Sequence, residues 1–335
     1  MRLAHVRERH APAGAPWRLA MAVDPSPGWW LDLEVARRRA LADQPDRAHN
    51  EAVFRQPITT LDAHLARGLR VAVLEEVPGG SFQLSEDDHP LLLEADLAFG
   101  PTVLAPLSLR DGYGFEGHVR TMWERRGGEV PEAWYRLPIF YFSNVGEVRG
   151  PDEPIWAPRD SIELDYEVEV AALIDTPASD LTPERAEEAI GGYTIFNDWS
   201  ARDLQRDEMT VRLGPAKGKD FASSFGPWLV TPDELEDARK GRGFDLAMTA
   251  SVNGVEMSRG RWSDAVHGFA DLAARASADV RLRPGDLLGS GTVATGSLLE
   301  VREQTLGRYL EPGDEVVLEV ERLGALRNPI VARPA

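Results

Sequence analysis

Leu164-Asp165-Tyr166-Glu167-Val168-Glu169-Val170 alternates acidic and apolar side chains with a period of two. In a β-strand that period sends successive side chains to opposite faces, so Glu167 and Glu169 converge while Tyr166, Val168 and Val170 point the other way. A strand of this kind ordinarily lies half-buried with a solvated acidic face. Two carboxylates held this close repel one another, and a cation between them relieves the repulsion. Oxygen ligands of that charge suit Mg2+, Ca2+ or Mn2+ rather than zinc. The stretch therefore predicts a strand and a candidate hard-cation site together.

About thirty residues on, the apolar run Gly192-Tyr193-Thr194-Ile195-Phe196 ends in Asn197-Asp198, and Ser200 is placed to cap a helix carrying Arg202 and Gln205. Residues three apart share a helical face, so a guanidinium and an amide project together beside Asp198, an anion pocket next to a carboxylate. The alternative is that Asp198 and Ser200 only cap, and Arg202 pairs on the surface with Asp203 or Asp207. Next comes Leu213-Gly214-Pro215-Ala216-Lys217-Gly218-Lys219-Asp220, running on to Ser223-Ser224-Phe225-Gly226-Pro227-Trp228. Glycines beside lysines allow close backbone approach to a ligand, although a flexible basic loop reads the same way. The spacing is not that of a phosphate-binding Walker loop.

Further out, residues 1–105 give mixed signals, with helical patterns over Val35 to Asp43 and Thr60 to Ala66. In the second, Leu61, His64 and Leu65 share a face and Thr60 is a candidate N-cap. Breaks at Gly79-Gly80-Ser81 and Phe99-Gly100-Pro101 put a domain boundary near 105. Beyond it the chain is strand-rich. Asn253-Gly254 between two apolar runs signals a hairpin, and Arg283-Pro284-Gly285-Asp286 and Glu311-Pro312-Gly313-Asp314 signal tight turns. Thr182-Pro183-Glu184 and Thr231-Pro232-Asp233-Glu234 open short helices, the second as a capping box. The class is α+β, mainly β.

With 335 residues, 43% of them apolar, the chain can build one large domain or two. Cysteine is absent, so neither a disulfide, a thiolate nucleophile nor a cysteine-held zinc enters the chemistry. A net charge of −18 argues against nucleic acid as a partner, while a local cationic pocket can still hold a small anion. Neither a secretory signal nor an apolar run of membrane length is present, and the expectation is a soluble cytoplasmic protein without a membrane partner.

The strings Asn197-Asp198-Trp199-Ser200-Ala201-Arg202-Asp203-Leu204-Gln205 and Gly218-Lys219-Asp220-Phe221-Ala222-Ser223-Ser224-Phe225-Gly226-Pro227-Trp228 resemble the signature of the fumarylacetoacetate hydrolase family, in its fumarylacetoacetase-like branch. The resemblance implies a β-sandwich roll as catalytic domain over 106–335, with a smaller α+β domain over 1–105. It implies a Mg2+ or Ca2+ held by Asp111, Glu167, Glu169 and Asp198, and a catalytic His118, seven residues after Asp111, oriented by Glu300. In this resemblance Tyr113, Tyr141, Arg202, Gln205, Ser223 and Thr292 bind substrate, and Lys219, Arg202 and Gln205 also take catalytic roles. Ser223 stands where that branch has threonine, and Arg125 and Arg126 sit out of step with an expected arginine. The implied activity is metal-dependent hydrolysis of a carbon–carbon bond in a small anionic 1,3-diketo acid, acylpyruvate-like or fumarylacetoacetate-like, by a homodimer. Decarboxylation, hydration or isomerisation at the same site, and non-catalytic dicarboxylate binding, are the alternatives.

Overall fold

A computed structural model describes residues 1–23, 28–77 and 90–334, apart from the side chains of 49 and 50. The break expected at Gly79-Gly80-Ser81 lies outside the described residues. Two sheets dominate. The larger has twelve strands; its path runs Leu91–Leu93, Trp29–Asp32, Arg18–Ala22, Arg2–Glu8, Ser223–Val230, Ile190–Asp198, Val168–Ile174, Asp286–Gly289, Ser108–Gly112, Phe140–Ser143. The smaller has four strands, in the order Val255–Arg261, Ala247–Val252, Glu315–Val320, Gly324–Pro329.

The alternating stretch shows how the layers form. Tyr166, Val168, Val170, Ala172 and Ile174 all enter one core, shared with Met248, Ala250, Val252, Val316, Leu318 and Val320 of the four-stranded sheet. On the opposite face Ala171 and Leu173 enter a second core, with Leu3, Leu19, Phe54, Leu61 and Leu74 from the first hundred residues. Period-two alternation with both faces covered explains why every residue of Val168–Ile174 is buried. The N-terminal strands share this sheet: Leu3 pairs with Leu229 and Tyr193 with Val230 in one continuous ladder.

Several local expectations hold. The helix Leu61–Ala66 buries Leu61, His64 and Leu65, and Thr60 Oγ1 accepts from Ala63 N at 3.2 Å. A helix fills Leu33–Asp43, capped by Asp32, which accepts from Glu34 N and Val35 N. Asn253 and Gly254 turn the hairpin with φ of 52° and 77°, and Gly285 and Gly313 take positive φ in the two tight turns.

Three expectations are corrected. The stretch 164–170 is not one strand: Leu164–Asp165 pairs with Ser200–Ala201 in a separate ribbon, and the main ladder starts at Val168. At the joint Glu167 N donates to the Asn197 side chain at 3.0 Å, in place of a backbone partner. Ser200 does not cap the helix Arg202–Thr210; its hydroxyl donates back to Asp198 O, and Ala201 occupies the cap. Thr231 precedes the 3-10 turn Pro232–Ala238 without capping it, because its hydroxyl and Glu234 both accept from the Met1 ammonium, at 2.6 and 2.7 Å.

Candidate active site

Four strand ends meet where the alternating stretch enters the large sheet. Asp111 closes Ser108–Gly112, Glu169 opens Val168–Ile174, and Asp198 ends Ile190–Asp198. Between the first two runs Asp286–Gly289, with Gly289 in register with Asp111 on one side and Ala171 on the other. The missing side chain at 289 lets the Asp111 carboxylate lean across toward its fellows. Asp111, Glu169 and Asp198 each present a carboxylate oxygen within 4.8 Å of the other two, all buried.

Glu167 and Glu169 do share a face, but that face is not solvated: they are 5% and 1% exposed. Glu167 is drawn into a chain of ion pairs. Its Oε1 lies 2.8 Å from Arg202 Nη2 and its Oε2 accepts from Lys219 Nζ at 2.5 Å. Lys219 also donates to Asp198 Oδ2 at 2.6 Å, and Tyr141 Oη donates to that same oxygen at 2.7 Å. Arg202 Nη1 donates to Gln205 Oε1 at 3.1 Å, so the two share the helical face that their spacing predicts. Arg202 does not pair with Asp203 or Asp207: its Nε donates to Asp165, and Asp203 instead accepts from Ser161 Oγ and Ile162 N.

The electrostatics divide the carboxylates. Burial raises the pKa of Asp111 and of Glu169 well above the carboxylate range, and the charge of Asp198 on Asp111 and of Asp111 on Glu169 adds to it. Burial pushes Glu167 up too, but Lys219 and Arg202 together outweigh it and hold Glu167 below its ordinary value. Burial alone would lower Lys219; Asp198 and Glu167 more than offset this, so the lysine stays an ammonium. Asp111 Oδ1 and Asp198 Oδ1 are buried with no hydrogen-bond donor among the described residues. Unpartnered, mutually repelling hard oxygens of this kind fit a hard divalent cation.

Beside the cluster His118 lies on the helix Glu116–Glu124, buried, with Nδ1 donating to Glu300 Oε2 at 2.8 Å. Glu300 is itself fixed by Ser297 Oγ at 3.1 Å and Thr295 N at 3.1 Å. A carboxylate can only accept, so the Nδ1 proton is assigned by this contact and Nε2 is left as the acceptor. The Tyr113 ring stands edge-on to the imidazole, centroids 5.6 Å apart.

A cavity of about 350 Å³ gathers Asp111, Tyr113, His118, Tyr141, Glu167, Glu169, Arg202, Gln205, Lys219 and Thr292 on one wall system. Glu300 acts on it through His118, and Asp198 through Lys219 and Tyr141. Thr292 turns its hydroxyl to Glu169 Oε1 at 3.2 Å, and Gly291 N donates to Glu169 Oε2 at 2.9 Å. Ser223 is buried in register with Asp198 but lies outside the set lining the cavity. Arg126, left out of step by its spacing, does line it, as it lines a second chamber of about 420 Å³ that shares Met122, Arg202, Gln205, Met209 and Leu299 with the first. Asp165 carried no signal beyond its place in the alternation.

A model described as fumarylacetoacetate (FAA) hydrolase C-terminal matches residues 108–331, well over half of the chain. The chain is 32% identical over 196 residues to 2,4-didehydro-3-deoxy-L-rhamnonate hydrolase of Sphingomonas sp. (strain SKA58), covering 58% of this chain and 65% of that protein. It is 32% identical over 194 residues to a mitochondrial oxaloacetate tautomerase of Xenopus laevis, covering 58% of each. Both alignments span less than two thirds of the relative's length. Among solved structures, fumarylacetoacetate hydrolase from the psychrophilic Exiguobacterium antarcticum superposes with a TM-score of 0.68 at 23% identity, over 99% of this chain and 100% of that one, a likeness of fold. The extent of the matching segment, which contains every strand end of the acidic cluster, places this chain in the fumarylacetoacetate hydrolase family.

Proposed function

We propose that the protein hydrolyses a carbon–carbon bond in a small 1,3-diketo acid of the acylpyruvate or fumarylacetoacetate kind. The observation that carries this reading is the His118–Glu300 pair, with His118 on the wall of a cavity that Asp111, Glu167 and Glu169 also line. Asp111, Glu169 and Asp198, with Glu167 beside them, would hold a divalent ion, Mg2+, Ca2+ or Mn2+, which when bound would supply positive charge against the developing enolate.

His118, with Nδ1 committed to Glu300, takes a proton on Nε2 from water, whose oxygen bonds to the acyl carbonyl carbon. When the carbon–carbon bond breaks, its electron pair spreads into the enolate of the departing fragment, and the imidazolium returns the proton to that fragment's carbon. Arg202, Gln205 and Lys219 stand as fixed donors where this negative charge develops. Tyr113, Tyr141 and Thr292 bound the substrate; burial raises both phenols' pKa and keeps them neutral, Tyr113 as a donor toward the cavity and Tyr141 with its proton on Asp198. The resemblance further implies a cytoplasmic homodimer, which sedimentation tests as to mass.

A second reading has one finding in its favour, the tautomerase among the relatives. There the same imidazole moves a proton between carbon and solvent with no attack by water.

The test is product analysis on acylpyruvates and on oxaloacetate with Mg2+. Hydrolysis is expected from the parent, and a loss of about 10²- to 10⁴-fold in kcat from His118→Ala, with Glu167→Ala also impaired. Full turnover by either variant overturns the roles given, and keto–enol conversion or CO₂ release without a cleaved acyl acid supports the rival chemistry.

A further inference from the structure

The third acid of the alternating stretch, Asp165, is completely buried, at 0% exposure, and the catalytic scheme above gives it nothing to do. It accepts three hydrogen bonds. Arg202 Nε donates at 2.7 Å, and the backbone amides of Leu298 and Leu299 donate at 2.8 and 2.9 Å. Those amides begin the short helix Leu298–Val301, whose third residue is Glu300. Glu300 in turn receives the His118 Nδ1 proton at 2.8 Å. On the other arm, Arg202 reaches Glu167 at 2.8 Å and Gln205 at 3.1 Å.

A buried carboxylate without partners is costly, and one with a guanidinium and two amides around it is held rigidly because losing any of them exposes the cost again. Its two oxygens are also divided in use. Oδ1 serves Leu298, while Oδ2 serves both Leu299 and Arg202. A shift of Arg202 therefore pulls on the same oxygen that fixes the turn carrying Glu300. Arg202 and Glu300 stand on segments nearly a hundred residues apart in sequence, and this carboxylate is the atom pair that joins them.

We propose that Asp165 is a positioning residue that locks the alignment of the His118–Glu300 base to the position of Arg202, so the half of the site that activates water and the half that grips the substrate are set together. The proposal rests on the roles given above to His118 and Arg202. The contribution is geometric: displacement of a base by a fraction of an ångström is enough to slow proton transfer severely.

Asp165→Asn keeps the shape but places an amide NH2 among three donors, so in either orientation one donor faces another. The expected result is a fall in kcat of about 10- to 100-fold, a smaller rise in KM through the loosened Arg202, and cation affinity by calorimetry equal to the parent's, since Asp165 touches none of the clustered triad. In a Glu300→Gln background the same substitution is expected to cost less than about threefold in kcat, because the alignment it served is already gone. Arg202→Lys keeps the charge and loses the fork; it should lower kcat as well as raise KM, although Arg202 hydrogen-bonds neither His118 nor Glu300.

Asp165→Asn with kcat within about twofold of the parent, full additivity with Glu300→Gln, or a pure KM effect in Arg202→Lys overturns the inference. If Asp165→Asn fails to bind the cation and is misfolded, the cycle of Arg202→Lys with Glu300→Gln decides: losses in kcat well short of additive support the coupling, and full additivity overturns it. A parent protein that cleaves no acylpyruvate sinks the hydrolase reading, not this one, and the same kcat comparison then runs on the keto–enol conversion of oxaloacetate.

Discussion

Gly289 shows how much a single position decides. A Cβ built there would run into Asp111 Oδ1, closer than real Cβ contacts come, and would press on Phe196 Cε1 at 3.0 Å. Gly289→Ala should push the Asp111 carboxylate away from Glu169 and Asp198. The expected outcome is Mg2+ affinity weaker by about tenfold or more, with a stability cost of about 1–3 kcal/mol from overpacking, read by calorimetry and thermal melting; unchanged affinity would remove Asp111 from the ligand set. At this scale the alternating acids and the seven-residue interval from Asp111 to His118 were legible. What was not legible is the duty of each acid. Glu167 looks like Glu169 in sequence, and only the arrival of Lys219 and Arg202 from distant segments separates an ion-paired carboxylate from a cation-ready one. Asp165 was invisible for the same reason, since a lone aspartate opening a strand reads as solvated. Arg126 was left undecided because spacing along a helix does not report which way the following turn directs it, and it lines the cavity.

Elements were most legible where local chemistry alone fixes them. Asn253-Gly254 and the two Pro-Gly-Asp turns demand positive φ whatever surrounds them, and Thr60 caps because its acceptor lies three residues away. Ser200 failed as a cap because its hydroxyl turns back to the Asp198 carbonyl two residues upstream, and Thr231 because the distant Met1 ammonium claims its oxygen. The turn at 311–314 also offers a test. Arg308 donates to both oxygens of Asp314, at 2.6 and 2.8 Å, and Asn253 adds a third bond from the hairpin tip. Arg308 holds the Asp314 carboxyl at about 2, below the ordinary 3.8. The unfolded chain therefore takes up the proton first, so the stabilisation is complete above the ordinary value and is lost as pH falls from about 4 toward about 2. In urea titrations the parent should exceed Asp314→Asn by about 2 kcal/mol near neutrality, and the difference should shrink across that window. A difference that stays constant with pH would place the stabilisation elsewhere.

For the whole molecule, buried acids in a chain of net charge −18 tie the proposed divalent-ion site to stability as well as to chemistry. Asp111 and Glu169 have raised pKa values in the folded chain, so without an ion the folded state loses ground as pH climbs past their ordinary range, where the unfolded chain has already released its protons. An ion held by the cluster would compete with those protons and bind more tightly as they leave. The gap in melting temperature between Mg2+-loaded and chelator-stripped protein should widen from about pH 5 to about pH 8, reaching roughly 2.7 kcal/mol of stabilisation with the ion at a hundredfold its dissociation constant. A gap that narrows over that range would exclude the triad as its origin. The mainly β class and the family motifs were legible in the sequence. The joining of residues 1–105 to the rest in a single sheet was not, because strand pairing between Leu3 and Leu229 leaves no periodic trace in either segment. Among the described residues no helix is long and apolar enough to cross a membrane.

That pairing has a consequence for how the chain folds. More than two hundred residues separate Arg2–Glu8 from its partner strand Ser223–Val230, so that pairing cannot close until the whole intervening stretch is present. Until then the amides and carbonyls at Arg2 and Leu3 form a short open strand edge, and a contact this distant in sequence is among the slow ones to form.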